Sequence, residues 1–302
     1  MACLQSQSLA ILQGLWVRQS GLAATNSGTG QVEDGLTSLP TFDQMAEMIR
    51  VASYNIQKSI GTDFRRRPER VLEVLVELDA DIIALQEVDR RFGERVTSLP
   101  LDAIAAVTGY EPILFGARPR SLGWHGNTLL VRRGVEVLSQ QSLVLPRLEP
   151  RGGVLADLRI DGVPIRVVGL HLGLLGLWRK RQADAVLDLL EALEQPMPTV
   201  IMGDLNEWSV NGGVLTRFAR DHHVGEPGLS YPSVRPMFGF DRIIASSDLE
   251  IVAAGVHTTA RARIASDHLP VWANLQSSTN AHVLDGAQNG RLSGGGEERL
   301  GR

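Results

Sequence analysis

Four short polar clusters, each set at the end of an apolar run, constrain this chain more than any other feature: Ser53-Tyr54-Asn55, Leu85-Gln86-Glu87, Gly203-Asp204-Leu205-Asn206 and Ser266-Asp267-His268. The runs before them, Ile49 to Ala52, Asp81 to Ala84, Thr199 to Met202 and Val256 to Ala265, read as β-rich. Polar groups at strand ends face a common rim in layered α/β proteins, and ligands bind at that rim. A chain of 302 residues, 43% of them hydrophobic, can bury one large core or two small ones. The clusters span the middle of the chain and need one another, so one domain is expected.

That domain is expected over residues 48–276. Residues 1–47 are rich in Gln, Ser, Gly and Thr, and residues 277–302 in Gly, Asn and Ser, with no sustained period, so both ends read as disordered. Ile49 to Ile56 alternates as a strand. Pro68 to Leu78 places Val71, Leu72, Leu75 and Leu78 at helical spacing behind a proline suited to a first turn. A strand over Asp81 to Leu85 follows, then a helix over Leu101 to Val107 and β-prone stretches at Thr128 to Val131, Val135 to Leu138 and Val154 to Ile160. Asp161-Gly162 turns a hairpin into Ile165 to Leu170, since a tight turn needs the positive φ that glycine supplies. An amphipathic helix is predicted over Trp178 to Leu193, stopped by Pro196 and Pro198. Thr199 to Met202 is a strand, Val214 to Arg220 a helix, and Asp241 to Ala245, Leu249 to Thr258 and Val271 to Leu275 are strands. These are too many strands for one βαβ sheet and too many helices for a plain sandwich. Two sheets face to face with helices outside accommodate both.

A net charge of −4 argues against affinity built on neutralising many phosphates of duplex nucleic acid, while small or singly charged phosphoesters stay open. Arg65-Arg66-Arg67, Arg132-Arg133 and Arg179-Lys180-Arg181 read individually as solvated faces. Cys3 is the only cysteine, which leaves no internal disulfide and no cysteine metal cage, and favours a reducing, cytoplasmic setting. Leu9 to Val17 is too short to cross a membrane and has no basic residue before it. Translation from Met45 or Met48 would place the first core strand at the start of the protein.

The clusters supply the residue types of metal-dependent phosphoester chemistry. Glu87 at a strand exit is a hard oxygen ligand for Mg²⁺ or Mn²⁺, and magnesium, which keeps several waters, asks for little more than one carboxylate with help from Asn55. Taken singly, such a Glu is most often a surface residue and such an Asn a turn former. Alternation along an extended segment puts Asp204 and Asn206 on one side, where they can hold a water and a phosphoryl oxygen; the alternative is an Asx turn closing the strand. Ser266-Asp267-His268-Leu269-Pro270 pairs an acid and an imidazole beside a rigid proline, the makings of a general base or acid near neutral pH. Asp241, opening its own strand, is a better partner for His268 than the adjacent Asp267. His171 offers a second imidazole. His125, His222, His223, His257 and His282 carry no such signal.

In order and in type, these clusters resemble the endonuclease/exonuclease/phosphatase superfamily with its deoxyribonuclease I-like fold, over roughly Ile49 to Leu275. The resemblance matches Asn55 to a first-strand asparagine, Glu87 to the metal-ligand glutamate, His171 to the central-strand histidine, Asp204 and Asn206 to Gly-Asp-x-Asn, Asp241 to the aspartate before the last hairpin, and Asp267 with His268 to the closing Ser-Asp-His. Asn127 falls where members carry a residue facing the substrate phosphate, and Arg151 resembles a position found in bacterial members of unassigned substrate; both are expected to bind substrate. The resemblance implies a four-layered α/β/β/α sandwich of two mixed sheets flanked by helices. It implies a divalent cation, Mg²⁺ or Mn²⁺, held by Glu87, Asn55 and Asp267, and phosphoester hydrolysis by in-line water. Either His268, oriented by Asp241, activates that water with Asp204 and Asn206 positioning it, or Asp204 is the base and His268 stabilises the phosphate. The loop around Arg118, Arg120, Trp124 and His125 gives a modest grip for nucleic acid, and no tyrosine matches the one nuclease members place near the phosphate. A small or lipid-derived phosphoester is the expected substrate, with a membrane headgroup open. A nuclease is the runner-up, and an inactive binding protein of the same fold the third reading. No obligate protein partner is evident.

Overall fold

A computed structural model describes residues 48–116, 118–209 and 212–278. The expected disorder of residues 1–47 lies outside them, as does that of the 277–302 tail apart from Ser277, which ends the last strand, and Ser278. Twelve strands form two six-stranded sheets. The first contains β1 (Ile49–Asn55), β2 (Ile82–Gln86), β3 (Tyr110–Ile113), β4 (Thr128–Arg132), β11 (Leu249–Val256) and β12 (Val271–Ser277), in the order β11-β12-β1-β2-β4-β3. The second contains β5 (Glu136–Leu143), β6 (Gly152–Ile160), β7 (Val163–His171), β8 (Thr199–Asp204), β9 (His222–Val224) and β10 (Asp241–Ser246), in the order β5-β6-β7-β8-β10-β9. Each sheet has one parallel pair, β1 with β2 and β7 with β8, and the other pairings are antiparallel. A parallel neighbour needs a crossover, and the helices Pro68–Leu78 and Gly176–Glu191 supply them.

The pleat divides each central strand between two apolar layers. Val51, Ile82, Ala84 and Leu129 face Val154, Val167, Val200 and Met202 between the sheets. On the outer face of the first sheet, Ala52, Ile83 and Leu85 pack on Val71, Val74, Leu75 and Leu78 of the Pro68–Leu78 helix. On the outer face of the second, Val168, Leu170 and Ile201 pack on Ala183 and Val186 of the Gly176–Glu191 helix and on Phe218. Three apolar layers make a four-layered α/β/β/α sandwich. Strands buried on both faces read as continuous apolar runs, which is why β2 and β8 lack alternation.

Three predicted elements are corrected. Val256 to Ala265 is not β throughout: β11 ends at Val256, and Ala260–Ala265 is helical. Thr259 caps that helix, its hydroxyl oxygen accepting from the Ala262 amide at 3.2 Å, and alanine and arginine favour helix over strand. The helix predicted over Leu101 to Val107 is α only to Ala103 and continues as a wide turn over Ile104–Thr108. The helix predicted over Val214 to Arg220 is confined to Leu215–Phe218. The short strands β3 and β9 carry no sequence pattern that separates them from loops.

Leu75, fully buried between helix and sheet, tests this packing. Leu75→Ala is expected to cost about 2–5 kcal/mol, read as a lower urea midpoint with an unchanged denaturant slope; a cost under about 0.5 kcal/mol would contradict the packing.

Candidate active site

Strand register assembles the site. His171 ends β7 opposite Asp204, which ends β8, and Asp204 lies opposite Asp241, which opens β10. Residues in register on neighbouring strands point to the same face, so three candidate site side chains stand in a row across the second sheet. Asn55 ends β1 in the first sheet, and its amide donates to Asp204 Oδ2 at 2.9 Å. Asp204 Oδ2 also lies 3.4 Å from His171 Nε2 and 3.7 Å from His268 Nε2. Its other oxygen accepts the Asn206 amide at 3.0 Å. The Asx turn and the candidate functional carboxylate are thus the same residue.

β8 can reach this position only with glycine at 203, because a Cβ there would meet the Leu170 carbonyl oxygen at 1.9 Å. Asn206 takes a left-handed φ of 51°, which asparagine tolerates. Its side chain donates to the Leu172 carbonyl at 3.0 Å, so it braces the β7 and β8 exits. Asp204 and Asn206 are therefore not two equivalent groups on one side of an extended segment as predicted, since the chain turns between them.

His268 lies in the loop after the Ala260–Ala265 helix and is held as predicted by Asp241, not Asp267. Its Nδ1 is 2.9 Å from Asp241 Oδ2, which also accepts from the Ser230 hydroxyl at 2.5 Å. Asp241 Oδ1 is buried with no partner. Burial works against charging His268, but Asp241, Asp204 and Asp267 overcome it and raise its pKa to about 9. His171 goes the other way: burial, then Arg151, lower its pKa to about 3 against the pull of Asp204. The two imidazoles flank one carboxylate in opposite states at pH 7, His268 charged and His171 neutral. Arg151 Nη1 lies 2.6 Å from His171 Nε2 and 3.0 Å from Nδ1.

Glu87 stands across the opening with a left-handed φ of 57°. It is paired with Lys58, and Arg151 Nη1 approaches it at 3.8 Å. Gln57, Lys58 and Ser59 have φ of 45°, 58° and 58°, an unfavourable run of about 1–2 kcal/mol per residue. Its offsets include the Lys58 amide bonded to the Glu87 carbonyl at 2.9 Å and the Arg67 amide to the Ser59 carbonyl at 2.8 Å. The electrostatic influence of Asp267 also reaches Lys58.

Among the described residues one donor set has the geometry to hold a divalent cation: Asp204, Asp241 and His268 present ligand atoms within 4.8 Å of one another, and the unpartnered Asp241 Oδ1 is an oxygen with no other use. The sequence-predicted ligands Glu87 and Asp267 are not gathered with them; Glu87 is paired with the Lys58 ammonium, whose charge Asp267 also favours. Asn55, predicted with them, spends its amide on Asp204 and its carbonyl oxygen on the Gln57 amide.

Of the predicted substrate residues, Arg151 reaches the site. Asn127 gives its amide to the Trp124 and Gly152 carbonyls, both at 3.1 Å, so it fastens a turn to β6, and its Oδ1 is buried without a partner. Nearby Lys58 carried no signal, while Ser230 and Tyr231 come from the loop before Asp241, which the sequence offers as a lining for a lipid-headgroup or sugar-phosphate pocket; the Tyr231 ring centroid is 4.8 Å from that of His268. A tyrosine therefore does stand beside the site. His125, given no role from sequence, lines a cleft together with Glu87 and His171.

Two six-stranded sheets with acids and imidazoles gathered at one rim define the deoxyribonuclease I-like class of α/β sandwich. The chain belongs to the endonuclease/exonuclease/phosphatase family, a family of phosphoesterases, whose sequence model matches residues 52–268. It is 27% identical over 251 residues to the uncharacterized protein YbhP of Escherichia coli K12, covering 75% of this chain and 95% of that one. Among solved structures, the mannosyl-6-phosphatase of Bacteroides thetaiotaomicron superposes with a TM-score of 0.59 at 18% identity, covering 75% of this chain and 99% of its own. TDP2 of D. rerio, solved with a single-strand DNA product, gives 0.59 at 14% identity, covering 76% and 99%. At these identities the two structures show the shared fold.

The His268 pair predicts a pH dependence. A histidine whose pKa rises on folding from 6.5 to about 9 contributes stability that is fully present below pH 6.5 and lost as pH rises through 9. In EDTA the unfolding free energy is expected to fall across that window, and His268→Gln to flatten the fall; equal slopes in the two proteins would refute the ion pair.

Proposed function

We propose that this protein is a divalent-metal-dependent hydrolase that cleaves a small or lipid-derived phosphoester by in-line attack of water. The observation that carries this reading is the buried row His171, Asp204 and Asp241, closed by His268 and Asn55 at one rim of the two sheets. A Mg²⁺ or Mn²⁺ ion held by the sequence-predicted ligands Glu87 and Asp267, with Asn55 beside them, would neutralise charge on the phosphoryl oxygens.

The charged state of His268 favours the second of the two assignments read from sequence. An imidazolium held by Asp241 donates from Nε2 to a non-bridging phosphoryl oxygen and stabilises the charge that builds there in the transition state. Asp204, fixed by Asn55 and the Asn206 amide, orients the attacking water and takes its proton as the new P–O bond forms and the ester P–O bond breaks; the departing oxygen is protonated from solvent. Asn206 positions Asp204. Arg151 supplies a second cationic donor to the phosphoryl group, and neutral His171 holds Arg151 against the row.

An aromatic shelf beside His268 supports a substrate with an apolar portion. Tyr231 and Phe240 stack with centroids 5.2 Å apart, and Trp208 meets Phe240 edge-on at 4.7 Å. Trp208 is 59% exposed.

A screen with added Mg²⁺ or Mn²⁺ across sugar phosphates, aryl phosphodiesters, phospholipid headgroups and single-stranded oligonucleotides tests the reading. Turnover of a small or lipid phosphoester, abolished by EDTA and reduced about 10²- to 10⁴-fold in His268→Ala, is expected. Near-full turnover in that variant would discard the assignment, a dominant nuclease rate would overturn the substrate class, and inertness toward every ester would favour a binding protein.

A further inference from the structure

We propose that the cleft walled by Arg91, Arg95 and His125 and backed by Arg147 is a subsite for a second phosphate group on the substrate molecule, beside the phosphoryl group that is cleaved. The inference rests on the phosphoesterase reading above and goes beyond it by naming what the substrate must carry.

The cleft opens from the catalytic rim, with Glu87, Arg151 and His171 among its lining residues. Lys58, Arg90, Arg91, Arg95 and Arg151 line it against only two carboxylates, Glu87 and Asp89, in a chain whose net charge is −4. Both carboxylates already have close partners, although the charge of Asp89 still reaches Arg95. Glu87 is paired with Lys58. Asp89 accepts the Ser121 hydroxyl at 2.7 Å and the Leu122 and Gly123 amides at 2.9 and 3.0 Å. Arg90, Arg91 and Arg95 are left without a carboxylate partner among the described residues.

His125 shows what this surplus lacks. Arg95 Nη1 lies 3.3 Å from its Nδ1 and Arg147 Nη1 lies 2.5 Å from its Nε2. A neutral imidazole has one acceptor nitrogen, so one guanidinium N–H faces a ring N–H, donor against donor. An anion entering the cleft beside them, drawing the opposed guanidinium off the ring, would accept from both and remove the conflict. Burial, then Arg147 and Arg95, keep this imidazole neutral, with a pKa lowered to about 4. The ring is fixed in place: His125 and Gly126 have φ of 49° and 84°, and Trp124 meets the ring edge-on at 4.8 Å.

Phosphate is the anion that suits guanidinium forks, which bind it with paired, charge-assisted bonds. The cations are gathered in one cleft and not strung along a track many phosphates long, which duplex nucleic acid would require. A compact molecule with two phosphates, soluble or lipid-borne, spans the cleft and the catalytic row together.

The test compares substrate pairs that differ by one phosphate, fructose 1,6-bisphosphate against fructose 6-phosphate in solution and phosphatidylinositol 4-phosphate against phosphatidylinositol in mixed micelles. The wild-type protein is expected to prefer the bisphosphate of one pair by at least about tenfold in kcat/KM. Arg91→Ala with Arg95→Ala should remove the preference while leaving the rate on the single phosphate unchanged. Whichever pair shows the effect identifies the source of the second phosphate. Calorimetry with inorganic pyrophosphate in EDTA reads the subsite without turnover, and binding by wild type and His268→Ala should be lost in the double arginine variant, checked for folding by its thermal melt. Pyrophosphate bound through the arginines with no ester turned over would uphold the subsite and sink the hydrolase. Turnover with no bisphosphate preference, or pyrophosphate binding indifferent to both arginines, would overturn the subsite.

Discussion

The hydrogen bond from Asn55 to Asp204 ties the rim of one sheet directly to that of the other, alongside the His268–Asp241 contact, and the geometry of the buried row depends on that link. It joins the end of β1 to the end of β8 at 2.9 Å, fixing how the sheets meet where the chemistry would occur. Between the sheets, apolar packing sets their separation but is non-directional. A polar bond at the edge supplies the direction. Asp204 is then a hub, with Asn55, His171 and His268 around one oxygen and the Asn206 amide on the other.

Opposite charge states on the two flanking imidazoles follow from what lies behind each. Asp241 backs His268 with a carboxylate, while Arg151 faces His171 with a guanidinium. Two chemically identical side chains on either side of one carboxylate thereby become a donor of positive charge and a neutral support. Burial magnifies both effects, because charges interact more strongly where water is excluded.

Most of the layered architecture was legible in the sequence. Alternation marked β1, apolar runs marked β2 and β8, a turn signal placed β7, and the Pro68–Leu78 helix could be bounded because proline starts it and its apolar spacing is regular. The stretch before Ser266 was misread because Val256 to Thr258 is β-prone while the helix that follows is too short to show a period. At the site, acids and imidazoles at strand ends stood out because strands carry little else that is polar. Lys58 and His125 did not, since each owes its place to a left-handed backbone turn that no spacing rule reveals. Asn127 was visible as a residue but not as a brace, for its role depends on two carbonyls brought near by another strand.

Asp89 anchors the cleft-bearing loop through Ser121, Leu122 and Gly123, and none of these belongs to the catalytic row. The wall that meets the ligand and the machinery that would cut it hang from separate fastenings. Residues 90–95 can therefore exchange size and charge over generations while the hydrolytic centre stays intact, a division of labour that lets one scaffold acquire new appetites.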